Sequence, residues 1–235
     1  MENRHTLAAM VSIGNRDHLT KHSFRRYYRW ASKYGYTSIL IKQPLVDQNI
    51  LPHYNKLLVP YAYPGFDRYV ICDDDLFINS NAPELPDIPD GYVGLAKDAV
   101  QKNTKADFVK WTGNTGFIVT DKIGSELLYK AYENGDVTDI WPGFADQSAL
   151  NYVLWKADRI FEIDSRWNYA PILDFFVNHS SGGWELWNTN KLYRLSYYLG
   201  IMTGLRFKSL NRLNKAYGVH LIHARYSNFF DFHIP

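Results

Sequence analysis

Two carboxylates at the end of an apolar run have the clearest chemical use in this chain. The run is Tyr69-Val70-Ile71-Cys72-Asp73-Asp74-Asp75-Leu76-Phe77-Ile78. It reads as a buried strand that carries its acidic residues to one edge of a sheet. Side chains alternate along a strand, so Asp73 and Asp75 share a direction and Asp74 opposes them. Two neighbouring carboxylates repel unless a cation or a shared proton lies between them. Hard cations such as Mg²⁺ and Mn²⁺ take oxygen ligands and bring substrate phosphates with them. The run therefore predicts a metal–phosphate site, against the plainer reading of an acidic strand-to-loop turn.

Three further groups could complete such a site. Asn114-Thr115-Gly116-Phe117-Ile118-Val119 is a polar loop with a glycine entering a strand. Asp146-Gln147-Ser148-Ala149-Leu150-Asn151 begins a helix with a carboxylate and an amide, and His220-Leu221-Ile222-His223 is a late apolar strand with two histidines. At a helix N-terminus the dipole favours the ionised form of Asp146. That suits it to accept hydrogen bonds from hydroxyls or to serve as a base; its plain alternative is an N-cap.

Positioning these groups requires alternating strands and helices. Leu7 to Ile13 reads as a strand, with Asp17 as N-cap of a helix whose apolar face is Phe24, Tyr27, Tyr28, Ala31 and Tyr34. Gly35 stops it, and Tyr36 to Lys42 returns as a second strand. A short helix around His53 to Tyr61 precedes the acidic strand. Beyond it come strands at Tyr92 to Ala96, Gly116 to Thr120 and Arg159 to Ile163, and helices at Lys122 to Glu133 and Asp146 to Lys156. The alternation predicts one α/β domain over residues 1–235, a mixed sheet with helices on both faces. Residues 184–217 read as a helical C-terminal extension whose charges are solvated.

A chain of 235 residues is long enough for a sizeable core, and 46% of it is apolar. Aromatic residues are abundant at 16%, a composition that suits stacking on sugars as well as core packing. The net charge of +2 gives no case for nucleic acid. The single cysteine, Cys72, sits inside the apolar strand and reads as a small buried hydrophobe. The N-terminus lacks a signal-peptide pattern and no apolar run is long enough to span a membrane. These features predict a cytoplasmic or otherwise soluble protein, or the catalytic domain of a longer one. The sequon at Asn178 matters only in a secreted protein.

The order of the pieces resembles the nucleotide-sugar transferases of GT-A fold, above all the glycogenin-like family and the related bacterial lipopolysaccharide galactosyltransferases. That pattern is an apolar run with Asp-x-Asp, then Asn-x-Gly, Asp-Gln-x-x-Leu-Asn and Trp-Asn, and a late histidine. It spans roughly residues 5 to 225. The chain departs from it after the histidine, where Ala224-Arg225-Tyr226-Ser227 replaces a Lys-Pro-Trp tail. Arg225 is then the substitute for the phosphate-contacting lysine.

Residue by residue, the resemblance implies a fold, a donor and a cofactor. Asp75 and His223 would bind the metal with Asp73, which could also reach the donor ribose. Imidazole favours Mn²⁺, with Mg²⁺ as the alternative. His220, three residues away, is expected to face elsewhere as core or surface. Asn114, Gly116 and Asp98 would line the sugar pocket, and Asp146 and Gln147 would act on the sugar. Trp167 and Asn168 would lie in the acceptor cleft, with Trp167 equally readable as core. Ser12, Gly14, Asn15 and Arg16 would hold the nucleotide beyond the first strand, and Lys56 would lie near it. The implied partners are a nucleotide-sugar donor, UDP-linked first and GDP-linked second, and a glycan or glycoconjugate acceptor. Transfer with retention and transfer with inversion both stay open.

Other classes fit less well. Haloacid-dehalogenase phosphatases carry Asp-x-Asp in the first strand, not a third of the way along. A nucleotidyltransferase that builds nucleotide sugars would open on a richer glycine and basic loop than Gly14-Asn15-Arg16. A non-catalytic nucleotide- or sugar-binding module would bind a donor without releasing its nucleotide.

Overall fold

A computed structural model describes residues 5–46, 51–98, 101, 104–135, 137, 145–171, 191–192, 195–196, 199 and 207–221. The apolar runs become β1 (Thr6–Val11), β2 (Thr37–Ile41), β3 (Arg68–Asp73), β4 (Leu76–Ile78), β5 (Val93–Lys97), β6 (Gly113–Asp121), β7 (Ile160–Ile163) and β8 (Gly218–His220). The helices are α1 (Asp17–Lys33), α2 (Asn55–Ala62), α3 (Ser125–Asn134), α4 (Ala145–Ala157) and α5 (Phe207–Lys215). Six strands form one sheet in the order β2-β1-β3-β6-β5-β7, and β4 and β8 form a separate pair. The sheet is mixed: β1 runs parallel to β2 and β3, while β6 is antiparallel to both its neighbours.

Alternation along the strands divides the core. Leu7, Ala9, Tyr69 and Ile71 face Leu57, Leu128, Leu150 and Leu154 of α2, α3 and α4. Ala8, Met10, Val70 and Cys72 face Tyr27, Trp30 and Ala31 of α1. Each face of the sheet therefore buries one set of strand side chains under its own helices, which is what an apolar strand covered on both sides requires.

Several local expectations are corrected. The run from Tyr69 to Ile78 is two strands in two sheets, broken by a turn at Asp74 and Asp75. The strand expected from Gly116 begins at Gly113, so Asn114 and Gly116 are strand residues. Asp17 is the first helical residue of α1 instead of its cap, and its carboxylate accepts from Lys42 Nζ at 2.7 Å. The buried face of α1 runs through Leu19, Thr20, Ser23, Tyr27, Trp30 and Ala31, whereas Tyr28 is 53% exposed. Trp30 replaces Tyr28 because its ring meets Tyr36 and Trp167 edge-on. No helix among the described residues is long and apolar enough to cross a membrane. Of the extension expected at 184–217, residues 207–215 form α5, whereas 184–190 and 200–206 lie outside the described residues, as do Asn178 and Arg225.

Candidate functional site

The carboxyl ends of β1 and β3 lie side by side, with Val11 opposite Asp73. The loop after β1 therefore faces the turn after β3. Asp74 ties the two together: Ser12 Oγ donates to it at 2.7 Å and the Arg16 guanidinium grips both its oxygens. Gly14 between them has φ +100°, a backbone shape that favours glycine. Ser12 and Arg16 thus hold the loop in place, and Gly14 and Asn15 form its exposed tip.

Pairing of β4 with β8 sets Leu76 against His220, and Leu221 N donates to the Asp75 carbonyl at 2.8 Å. This carries the His220 ring to the acidic turn. Its Nε2 lies 3.1 Å from Asp75 Oδ1 and 3.9 Å from Asp73 Oδ2. One ligand atom from each of Asp73, Asp75 and His220 falls within 4.8 Å of the others. His220 was expected to be core or surface; among the described residues it is instead the histidine that meets the carboxylates, because β8 ends there. His223 lies outside the described residues.

The charges respond to one another. Burial would raise Asp75, but His220 and Arg16 outweigh it and hold its carboxyl below the usual range. Burial would lower His220, and Asp75 and Asp73 raise it instead. Asp73 is raised, by burial first and by its neighbour Asp75, against the opposing pull of Lys56. Two oxygen donors and one imidazole nitrogen at this spacing fit a divalent cation of the Mn²⁺ or Mg²⁺ kind.

Lys56 joins this cluster to a second one. It lies on α2, only 2% exposed, and its Nζ reaches Asp73 Oδ1 at 2.8 Å, Asp146 Oδ2 at 3.0 Å and the Thr115 carbonyl at 3.1 Å. Burial would depress its ammonium, but Asp146 and Asp73 raise it above the ordinary lysine value. Lys56 is thus placed between two carboxylates. Asp146, at the N-terminus of α4, also accepts from Thr115 Oγ1 at 2.8 Å. Both contacts use Oδ2, and among the described residues Oδ1 accepts none. Gln147 Nε2 donates to Asp98 Oδ2 at 2.9 Å. Asn151 on the same helix clamps Gly113 in both directions, at 2.7 and 2.8 Å, which fixes α4 against β6.

Asn114 Oδ1 accepts from Gly116 N at 2.8 Å and from Asn168 Nδ2 at 2.7 Å. Asn168 Oδ1 in turn faces His220 Nδ1 at 2.9 Å. Trp167 is 2% exposed and stacks on Phe117 with ring centroids 5.0 Å apart, so it is a core residue and not a wall of the cleft. Gly116 is a steric requirement: a Cβ there would lie 2.5 Å from His220 Cε1 and 2.6 Å from Nδ1. Gly116→Ala is expected to displace the imidazole and, if this trio takes a divalent cation, to weaken that binding by about tenfold or more, with the fold retained. Isothermal calorimetry with Mn²⁺ tests this, and an unchanged affinity would show that His220 does not need this space.

The structure thus brings together Asp73, Asp75, Lys56, Asp98, Asn114, Gly116, Asp146, Gln147 and Asn168, with the Ser12–Arg16 loop alongside. His220, Thr115 and Asn151 join them without having been singled out as site residues. Thr115 was readable only as the middle of Asn-x-Gly, where no chemistry requires a hydroxyl.

No protein-family model matches the chain, and no curated protein matches it in sequence. Solved structures do match. A glycosyltransferase involved in the glycosylation of the major capsid of PBCV-1 has a TM-score of 0.61 at 12% identity, over 98% of each chain. The galactosyltransferase LgtC, in complex with donor and acceptor sugar analogs, has a TM-score of 0.59 at 14% identity, over 97% of this chain and 95% of its own. The bifunctional glycosyltransferase WbbM has a TM-score of 0.53 at 13% identity, over 94% of this chain and 46% of its own. The chain has the GT-A fold of these glycosyltransferases.

Proposed function

We propose that this chain is a divalent-cation-dependent glycosyltransferase. It moves a sugar from a nucleoside diphosphate sugar, UDP-linked first, to a hydroxyl of a glycan or glycoconjugate acceptor. One observation carries the reading. A trio spaced to hold a cation, Asp73, Asp75 and His220, and a group suited to a sugar, Asp98, Asp146 and Gln147, meet through Lys56 at one edge of a GT-A sheet. The full-length likeness to glycosyltransferases, among them one solved with donor and acceptor sugar analogs, supports it.

Asp75, His220 and Asp73 would hold the cation, which when bound supplies Lewis-acid stabilisation of charge on the departing diphosphate. Mn²⁺ suits the imidazole better than Mg²⁺ does. Asp146 offers Oδ1 to the donor sugar, while Lys56 and Thr115 hold Oδ2 still. Carboxylates and amides fixed in advance stabilise developing positive charge on the sugar without reorganising. Gln147, steadied by Asp98, lies one residue further along α4, where its amide can face the same ring. The Ser12–Arg16 loop, fastened by Asp74, lies at the sheet edge where a nucleoside binds. In the net step the acceptor oxygen replaces the diphosphate oxygen on the anomeric carbon, the nucleoside diphosphate leaves with the bonding electrons, and the acceptor's hydroxyl proton passes to the departing diphosphate or to solvent.

The test is a panel of UDP-, GDP-, CDP- and ADP-sugars with Mn²⁺, followed by nucleotide release. UDP release that stops in excess chelator is expected. Binding of UDP-sugar without release, with or without glycan acceptors, would make the chain a binding module. Release of pyrophosphate from UTP and a sugar 1-phosphate would make it a nucleotidyltransferase.

A further inference from the structure

His220 meets the carboxylates with Nε2 and Asn168 with Nδ1. Which ring nitrogen carries hydrogen decides whether Nε2 can offer a lone pair to a cation. Side-chain amides normally leave such a question open, because their oxygen and nitrogen can be exchanged. Here the exchange is blocked from the backbone. Gly116 N–H can only donate, so the atom of Asn114 that it meets at 2.8 Å is the oxygen. That oxygen can only accept, so the atom of Asn168 at 2.7 Å is the amide nitrogen. The remaining Asn168 atom, 2.9 Å from His220 Nδ1, is then the oxygen, and Nδ1 must donate to it.

We propose that Asn114 and Asn168 are positioning residues that transmit the polarity of one β6 peptide N–H to His220, keeping hydrogen on Nδ1, so that when a cation sits between Nε2, Asp73 and Asp75 the proton given up is the one on Nε2 and its lone pair is the one offered. The proposal deepens the cation site of the proposed function and rests on that reading. It moves Asn114 and Asn168 from sugar contacts to the outer support of the cation. Outer partners of this kind fix ring orientation and tautomer and raise ligand basicity. Three features converge on it. Asn168 is only 8% exposed, so water does not readily replace its oxygen. Gly116 supplies both the N–H that starts the relay and the space that the imidazole fills. The 3₁₀ turn Ser165–Asn168 that carries Asn168 runs straight into Tyr169, whose N donates to the Gly218 carbonyl of β8 at 2.9 Å and whose carbonyl accepts from His220 N at 2.8 Å. His220 and its acceptor are therefore held on one framework.

The experiment measures Mn²⁺ binding alone, by electron paramagnetic resonance, in the parent, Asn168→Leu and Asn168→Asp proteins. Asn168→Leu is close in volume and removes the acceptor; Asn168→Asp keeps an acceptor for Nδ1–H. The expected result is an affinity loss of about tenfold to a hundredfold for Asn168→Leu, with a clearly smaller loss for Asn168→Asp, whose second oxygen meets Asn114 Oδ1 without a hydrogen to donate. Equal losses in both variants, or no loss in Asn168→Leu, overturn the relay while leaving the cation site standing. Absence of Mn²⁺ binding in the parent overturns the relay and the proposed function together. Nitrogen-15 histidine spectra of the Mg²⁺-saturated parent protein provide a readout independent of any variant. A hydrogen-bearing Nδ1 and a bare Nε2 at His220 are expected, and the opposite tautomer overturns the proposal.

Discussion

Asp75→Ala is expected to lose Mn²⁺-dependent binding of UDP and to lower donor turnover by at least about a hundredfold, while the protein stays folded. Asp75 is 8% exposed and faces His220 on one side and the Arg16 guanidinium at 3.9 Å on the other. Without it the proposed cation keeps only Asp73 and His220, and Asp73 already shares an oxygen with Lys56. The fold should survive because the substitution also removes the repulsion between neighbouring carboxylates. The β4–β8 pair uses the backbone of residue 75, not its side chain. Thermal unfolding separates the effects. A ligand at a hundred times its dissociation constant stabilises by about 2.7 kcal/mol, so UDP with Mn²⁺ should raise the parent melting temperature by several degrees and leave the variant unmoved. Parent turnover that persists in excess chelator, or a variant stabilised like the parent, would show that the cation is not held here.

The sheet was legible because its strands are apolar runs bounded by glycine, proline and acidic turns. Its layering was legible because both faces of each central strand are apolar. Less legible were places where a strand enters the site. Gly113, Asn114 and Thr115 have polar or small side chains, so they read as loop, yet Gly113 and Asn114 pair with β5 and Asn151 of α4 clamps the Gly113 backbone. The carboxylates were sorted by an alternation that ends one residue too early. Asp73 is the last residue of β3, and a turn sends Asp74 to Arg16 and Asp75 to His220. Strand parity misplaced His220 for a related reason. Parity orders side chains within a strand but does not say where the strand stops. The usable signal was the three-residue strand Leu76–Ile78 directly after the acidic turn. Whatever pairs with it must end beside Asp75, as His220 does. Lys56 carried a different hint, since a lysine followed by Leu57-Leu58-Val59 on a short helix has little chance of reaching water.

Lys56→Met is expected to lower the stability of the metal-free protein by about 3 kcal/mol near neutral pH, and to abolish transfer. Methionine matches the unbranched stem of lysine, so packing changes little and the lost element is the ammonium. Breaking a buried ion pair by removing one partner costs about 3–5 kcal/mol, because the other charge is left uncompensated. The low end applies because the Asp73 side chain remains 27% exposed and water can solvate it, whereas that of Asp146 is only 7% exposed. The dependence on pH identifies the cause. In the parent, the raised Lys56 pKa contributes stability that is complete below the ordinary lysine value of about 10.4 and is lost as the pH rises through the folded value. In the variant, the Asp73 carboxyl, already raised by burial and by Asp75, loses the opposing pull of Lys56 and rises further. The variant's deficit is therefore full near neutral pH and shrinks as acidification neutralises Asp73. Adding Asp146→Asn removes one of the stranded charges and should recover part of the loss, a coupling that contacts of packing alone do not produce. Urea unfolding of the parent, the single variants and the double variant at several pH values measures all of this. A deficit that is equal at acidic and neutral pH, with no recovery in the double variant, would assign Lys56 to packing instead of to the balance of charge between the two halves of the site.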